Sequence, residues 1–456
     1  MRVWPRYATS RRSHDRSGGR ARRGRTARGS QRPAGVRAAP GTSMSVEAPA
    51  LDRDFVRRQF PAFAQPSLRG QAFFENAGGS YACEPVIRLL AEYYRRLKVQ
   101  PYYPFPASAE AGEWMDAARA RMGEYLGAPP QAVHFGPSTS QNTYVLAQAF
   151  RALLGAGDEI IVTDQDHEAN SGQWRRLAAY GIVVREWRVD PHSGLLDPQQ
   201  LDSLLTERTR LVAFPHVSNV VGHINPVSEL TARARAAGAL TVVDGVAAAP
   251  HGLPDIGQLG ADIYLFSLYK TFGPHQGLMV VRPELVERLG NEGHYFNAHD
   301  PLKRLVPAGP DHAQVAAARG IAEYFDALAA HHGAVTAGAR PRRVCELLRA
   351  AELPLLSRLL DYLKGRRDIR LLGPELAHER TATVSFVTDR LEPIEVARRL
   401  ARRGFMLGAG NFYAVRLLRA MGVEPERGVV RVSFLHYTTP EEMTGLIEAL
   451  ERVLAG

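Results

Sequence analysis

Short apolar runs alternating with amphipathic segments predict an α/β protein, with a large, mostly parallel sheet domain and a smaller C-terminal α/β domain. Two observations carry this. Runs such as IIVT, LVAFP, TVV and IYLFS are too short for typical helices and end in polar or glycine-containing turns, as buried parallel strands do. Beyond about residue 335 the chain shifts to long helix patterns with short strands between them, ATVSFV and VVRVSF among them. The expected organisation is an extension over 1–43, an N-terminal segment and large domain over 44–334, and a small domain over 335–456.

A chain of 456 residues can bury a large core, and 45% hydrophobic with 23% charged residues is the composition of an ordinary globular protein. The formal charge of +10 is unevenly placed. Residues 1–43 hold 12 arginines and one acidic residue, a charge of +11, which leaves 10 − 11 = −1 for the remainder. Nucleic-acid binding through the tail is the alternative from another class, but it leaves the rest of the chain unexplained. The tail has little to bury and is expected to be disordered, an upstream extension with Met44 as the functional start. Two cysteines, Cys83 and Cys345, supply neither a disulfide framework nor metal-ligand spacing, which fits a reducing cytoplasm. No apolar run is long enough to span a membrane.

In chain order, AFFENAGGS places Asn76 after a strand-like run and before a glycine turn. PYYPFPASAE is too proline-rich for a regular helix; it suits a pocket entrance or an apolar patch on a partner subunit, and a helix follows through EWMDAARARMGEYLG. VHFGPSTSQN reads as strand, glycine turn and hydroxyl-rich helix start, so Ser138, Thr139 and Ser140 form a candidate phosphate cradle of free amides and hydroxyls. The run ending at Asp244 and the run ending in Ser267 and Lys270 present a carboxylate and an amine at adjacent strand ends. Burying such a pair is costly unless something polar lies between them, and a bound cofactor is the economical candidate.

VVDG followed by FSLYK, with DHEAN, HVSNVVGHINP and RVSFLHYTT, resembles the class V aminotransferases over residues 60–454. These are the PLP-dependent fold-type I enzymes that include cysteine desulfurases, and the resemblance implies pyridoxal 5'-phosphate as cofactor. It implies that Lys270 binds the cofactor aldehyde, that Asp244 pairs with the pyridine nitrogen, and that His167 stacks on the ring. Ser138, Thr139, Ser140 and Ser267 fall in the phosphate-binding region, and Asn219 approaches the cofactor O3' or the substrate carboxylate. Arg431 is the expected clamp for an amino-acid carboxylate, since a guanidinium can engage both oxygens. Asn76 corresponds to a turn near the substrate entrance. A homodimer is expected, because family active sites lie between subunits.

The sequence also departs from the desulfurases. GFMLGAGNFYAVRLLRAMG occupies the loop that should carry a mobile cysteine, and it has none. Tyr269 stands where a histidine commonly precedes the lysine, Ala247 where a glutamine supports the cofactor, and Pro310 where a threonine follows Gly309. Persulfide formation needs a cysteine thiolate. The expected function is therefore a cysteine desulfurase-like C–S or β-elimination lyase acting on an L-amino acid, with aminotransferase or epimerase as alternatives. A cofactor-retaining structural protein is a further alternative. Residues 101–106 and 404–420 are expected to select the substrate side chain.

Overall fold

The computed structural model describes residues 50–333 and 336–455; the arginine-rich extension, with the disorder, alternative start and polyanion binding considered for it, lies outside the described residues. After β1 (Ala72–Phe73) come β2 (Val133–Gly136), β3 (Glu159–Thr163), β4 (Val183–Trp187), β5 (Thr209–Pro215), β6 (Leu240–Asp244), β7 (Ile263–Ser267) and β8 (Gly277–Val281). β2 through β8 form one sheet in the order β2-β8-β7-β6-β5-β3-β4. Neighbours from β7 through β4 are parallel, and β8 is reversed, pairing antiparallel with both β7 and β2. β2, β3, β7 and β8 are buried along their whole length, which is why their sequences are apolar without alternation. The parallel strands deliver their carboxyl ends to one edge of the sheet, where ligands bind in open α/β folds.

The smaller sheet contains β9 (Ile369–Leu372), β10 (Thr383–Thr388), β12 (Gly408–Gly410) and β13 (Val429–Ser433), in the antiparallel order β12-β13-β10-β9. β11 (Phe405–Met406) pairs parallel with β1, so the N-terminal segment joins the C-terminal region, and Ala72 and Phe74 pack in its core. The helix Arg340–Lys364 links the two cores. Val344, Leu347 and Leu348 face the larger one, Leu355, Leu356 and Leu359 the smaller, with Pro354 between the two sets. Covalent order therefore does not separate the two cores: both ends of the chain contribute to the small one.

The proline-rich segment needs a correction. The helix begins at Pro106 and runs to Leu126, taking in residues 106–110 that were expected to be irregular. Proline at the first helical position lacks only an N–H that has no intrahelical acceptor anyway, and its fixed φ suits the helix. Ahead of it, Tyr102 adopts φ 70° and its N–H bonds the Ser108 carbonyl. Among the described residues, no helix is long and apolar enough to cross a membrane.

Candidate active site

The carboxyl ends of β3, β5, β6 and β7 and the turn after β2 converge on one cavity. Its walls include Thr139, Ser140, His167, Asn219, Asp244, Ser267 and Lys270, with Ala247 and Tyr269 beside them. Ser138 is adjacent but differently employed: its hydroxyl accepts from Gln141 N–H and caps the helix Thr139–Phe150. Thr139 Oγ1 lies 2.8 Å from Ser267 Oγ, joining the helix start to the end of β7. This approach depends on Gly277, since a Cβ there would stand 2.4 Å from the Ser138 carbonyl carbon and 2.5 Å from Thr139 N. The helix start thus presents free amides and hydroxyls at the cavity wall, where an anion is favoured.

Lys270 sits on a short 3-10 turn directly after β7. Its amine makes no hydrogen bond to another described residue; burial, and next the charge of Arg431, pull its pKa down to about 8. Two residues later Phe272 has φ 65°, which costs a non-glycine residue about 1–3 kcal/mol. Phe272 is fully buried, with ring centroids of Phe60 at 5.5 Å, His436 at 5.3 Å and Tyr324 at 5.8 Å. Edge-to-face pairs of about 0.5–1.5 kcal/mol each are enough to hold the strained turn. Ser80 fastens it from outside: its N–H donates to the Tyr269 carbonyl, and its hydroxyl accepts from Phe272 N–H at 2.8 Å.

Asp244 is 6% exposed, and its carboxylate accepts from Val246 N–H at 2.9 Å. Burial raises its pKa to about 6, against the partial pull of Lys270. His167 caps the helix Glu168–Arg175 by accepting Ala169 N–H on Nδ1, and burial lowers its pKa to about 3, so the ring is neutral at physiological pH. Asn219 donates through Nδ2 to the Phe412 carbonyl at 2.9 Å, while its buried Oδ1 has no partner among the described residues.

Arg431, on β13, is 2% exposed. It donates to the Asn219 carbonyl at 3.1 Å and to Glu75 Oε1 at 2.7 Å, and its guanidinium lies 3.7 Å from the centre of the Phe412 ring. Asn76 does not join this group: its Nδ2 donates to the Phe73 and Ser433 carbonyls, and its Oδ1 accepts from Tyr437 hydroxyl. With 2% exposure and all these bonds made, Asn76 ties the N-terminal segment to β13 instead of facing the cavity, which corrects its expected substrate contact.

Four residues were not anticipated individually, although Phe412 and Tyr413 lie in the 404–420 stretch expected to select the substrate side chain. Glu75 answers Arg431, as described. Asp166 lies buried next to Asp244, receiving hydrogen bonds from Thr163 and Asn170, and burial, with a smaller contribution from Asp244, raises its pKa to about 8. Phe412 and Tyr413 take left-handed φ values of 49° and 57° in the loop that lacks the cysteine. The Tyr413 ring is centred 5.2 Å from that of His167, and its carbonyl accepts from Glu168 N–H. Two consecutive aromatic residues gave no signal for such a turn, because their backbone is set by these contacts. The cysteines lie elsewhere: Cys83 is fully buried, with burial pushing its thiol up to about 12, and Cys345 is pushed up to about 11 in the same way.

The aminotransferase class-V profile matches residues 72–301 and 345–446. An aminotransferase-like protein, FGM3, of Gibberella zeae is 34% identical over 412 residues, covering 88% of this chain and 98% of that protein.

The chain belongs to the aminotransferase class-V family.

A probable cysteine desulfurase of Pseudomonas aeruginosa is 31% identical over 410 residues, covering 87% of this chain and 97% of that protein. The solved cysteine desulfurase of Thermococcus onnurineus superposes with a TM-score of 0.78 at 23% identity, over 89% of this chain and 98% of that one, which establishes the shared fold. As a class V, cysteine desulfurase-like protein, the chain is a PLP-dependent enzyme of fold type I. The cavity fits that cofactor on its own terms. It offers an amine, a buried carboxylate, an unpartnered Asn219 Oδ1, and a helix start kept clear by Gly277.

Proposed function

We propose that this class V enzyme is a β-eliminating lyase, of the C–S type, acting on an L-amino-acid unit. Pyridoxal phosphate, when bound, supplies an electron sink for the bond broken at the substrate α-carbon. The chain's own groups then divide the work. Lys270 would hold the cofactor through its aldehyde, and its Nζ, when free, would take the substrate α-proton. Its depressed pKa leaves part of the amine neutral near pH 7–8, as that step needs. Asp244 would hold the pyridine nitrogen, where a carboxylate favours the protonated ring. Thr139, Ser140, Ser267 and the helix start would hold the phosphate, with Ser138 fixing the turn as its cap. His167 would cover the ring and exclude water, and Asn219 would contribute an uncharged amide toward the ring oxygen or the substrate.

The observation that carries elimination over persulfide transfer is the state of the two cysteines. Both thiols are raised by burial, and neither lies in the 404–420 loop. Expulsion of a sulfur substituent from the β-carbon needs no thiolate from the protein. Amino transfer is the second reading, favoured by the 34% identity to an aminotransferase-like protein. A homodimer and a cytoplasmic location complete the proposal, the former by analogy with family sites completed between subunits.

The deciding experiment follows the visible spectrum of the holoenzyme while L-cysteine and its S-conjugates are added, with keto acid, ammonia and sulfur product assayed in the same samples. Elimination predicts release of keto acid and ammonia with return of the starting spectrum. A persistent amine form of the cofactor, reset by a keto acid, establishes amino transfer instead. Absence of a Lys270-dependent absorption band overturns both readings.

A further inference from the structure

The arginine expected to clamp a substrate carboxylate already holds a carboxylate of the protein. Arg431 Nη2 donates to Glu75 Oε1 at 2.7 Å, Nη1 is engaged by the Asn219 carbonyl at 3.1 Å, and the guanidinium plane is backed by Phe412. Arg431 is 2% exposed while the Glu75 side chain is 29% exposed, so the cation is buried and its partner only partly so. The contact is built from the N-terminal segment: Glu75 bridges to Ser433 on β13, which brings its side chain across to Arg431 two residues away. Two glycines leave room for the carboxylate. A Cβ at Gly78 would stand 2.6 Å from Glu75 Oε1, and one at Gly408 would stand 3.1 Å from the same oxygen. Neither glycine has a positive φ, so space, not backbone conformation, is what their small size provides.

The pair still has hydrogen-bonding capacity. Glu75 Oε2 and Arg431 Nε are both buried and have no partner among the described residues. One is an acceptor and the other a donor, and the pair as a whole is formally neutral. An incoming carboxylate would meet a like charge on Glu75 and could satisfy only the donor. A neutral carboxamide offers a carbonyl for the donor and an N–H for the acceptor.

We propose that Glu75 is a specificity-determining residue that adapts the Arg431 end of the site to an amino-acid unit whose carboxyl group is masked as an uncharged derivative, a carboxamide being the best match. This rests on the reading of Lys270 as the cofactor lysine. It concerns substrate class and is independent of whether elimination or amino transfer follows.

The test uses holoenzyme and three ligands of one side chain: L-serine, L-serine methyl ester and L-serinamide. Dissociation constants are read from the shift of the Lys270-dependent absorption band, and independently by calorimetry on cofactor-loaded Lys270→Ala protein. Wild type is expected to bind the amide at least tenfold more tightly than the acid, with the ester between them. Glu75→Gln is expected to move the acid-to-amide ratio at least tenfold toward the acid, while Glu75→Asp, which keeps the charge, moves it less. Comparing ratios between variants cancels the differing basicity of the ligand amines. Wild type that binds the acid as well as the amide overturns the proposal, as does a ratio unchanged in Glu75→Gln. A missing band in wild type overturns the cofactor reading itself, so the two failures are told apart.

Discussion

Among the described residues, the lysine end of this site leaves its charged group without a counter-charge in contact, and the arginine end does not. At the lysine end, polar groups are buried without being satisfied: among the described residues, Lys270 has no hydrogen bond and Asn219 Oδ1 no partner. At the arginine end, a buried cation meets a carboxylate from the same chain in a recess shaped by two glycines. A second buried arginine makes the contrast sharper. Arg380 is fully buried and donates to the carbonyls of Leu372, Pro374 and Thr383, with no ion pair to a carboxylate among the described residues, and burial lowers its pKa to about 9. Carbonyls are enough when an arginine only has to brace a loop. The Lys270 amine is where a ligand is expected, and the Glu75 pair is where we propose that the ligand's charge is restricted.

The largest expected effect breaks the lysine end. Lys270→Ala should abolish the visible band of bound cofactor and lower turnover on the order of 10⁴-fold, since it removes both the proposed attachment point and the proposed proton carrier; absorption and product assays check this. The pH dependence follows from the same residue. With the folded pKa near 8 and the ordinary value at 10.5, the unfolded chain holds the proton longer, so this group's contribution to stability rises with pH between the two. Cofactor capture by apo-protein should rise through a midpoint near pH 8, measured by stopped-flow absorption; a midpoint near 10.5 would show an unperturbed amine.

Asp244→Asn should separate activity from stability. Turnover is expected to fall by about 10²–10³-fold with loss of the charge proposed to pair with the ring nitrogen. Because folding raises this carboxyl from 3.8 to about 6, its contribution to stability is lost as pH rises through that window, and the cost persists above it. The apo variant should therefore be more heat-stable than wild type at pH 7, by about 1–3 kcal/mol, and equal to it below pH 4. Thermal unfolding at the two pH values decides.

Gly78→Ala sharpens the contrast at the other end. The added methyl meets the end of a flexible side chain, so Glu75 should be displaced at a cost of about 1 kcal/mol or less, while the acid-to-amide ratio moves in the direction of Glu75→Gln. A full-length, stable variant with wild-type preference would argue that the glycine serves another purpose. Smallest is Ser138→Ala, which removes a helix cap worth about 1 kcal/mol and should weaken phosphate binding only through the turn it holds, as read by melting temperature and cofactor dissociation.

Much of this site is legible along the chain because its residues lie where an apolar run stops. Burial on both faces makes β3, β5, β6 and β7 continuous apolar stretches, so the residues just beyond them, among them Asp244, Ser267 and Lys270, announce themselves at the carboxyl edge. The hydroxyl-rich turn before Thr139 is visible for the same reason. Asn76 was misleading because a polar residue before a glycine turn reads the same whether its amide faces a ligand or braces a strand. Its three scaffold partners come from residues 73, 433 and 437, two of them more than 350 positions away.

What the sequence by itself determined is the α/β architecture, the strand ends that carry the chemistry, and the absence of a cysteine from the 404–420 loop, since each follows from local periodicity or residue identity. Only the tertiary structure decided the partner of Arg431. Glu75 stands 356 residues earlier, and it meets the arginine because β1 crosses to the small domain beside β11 and β13. Charge pairing over such a separation leaves no pattern in the chain. It exists once two distant strands are brought side by side.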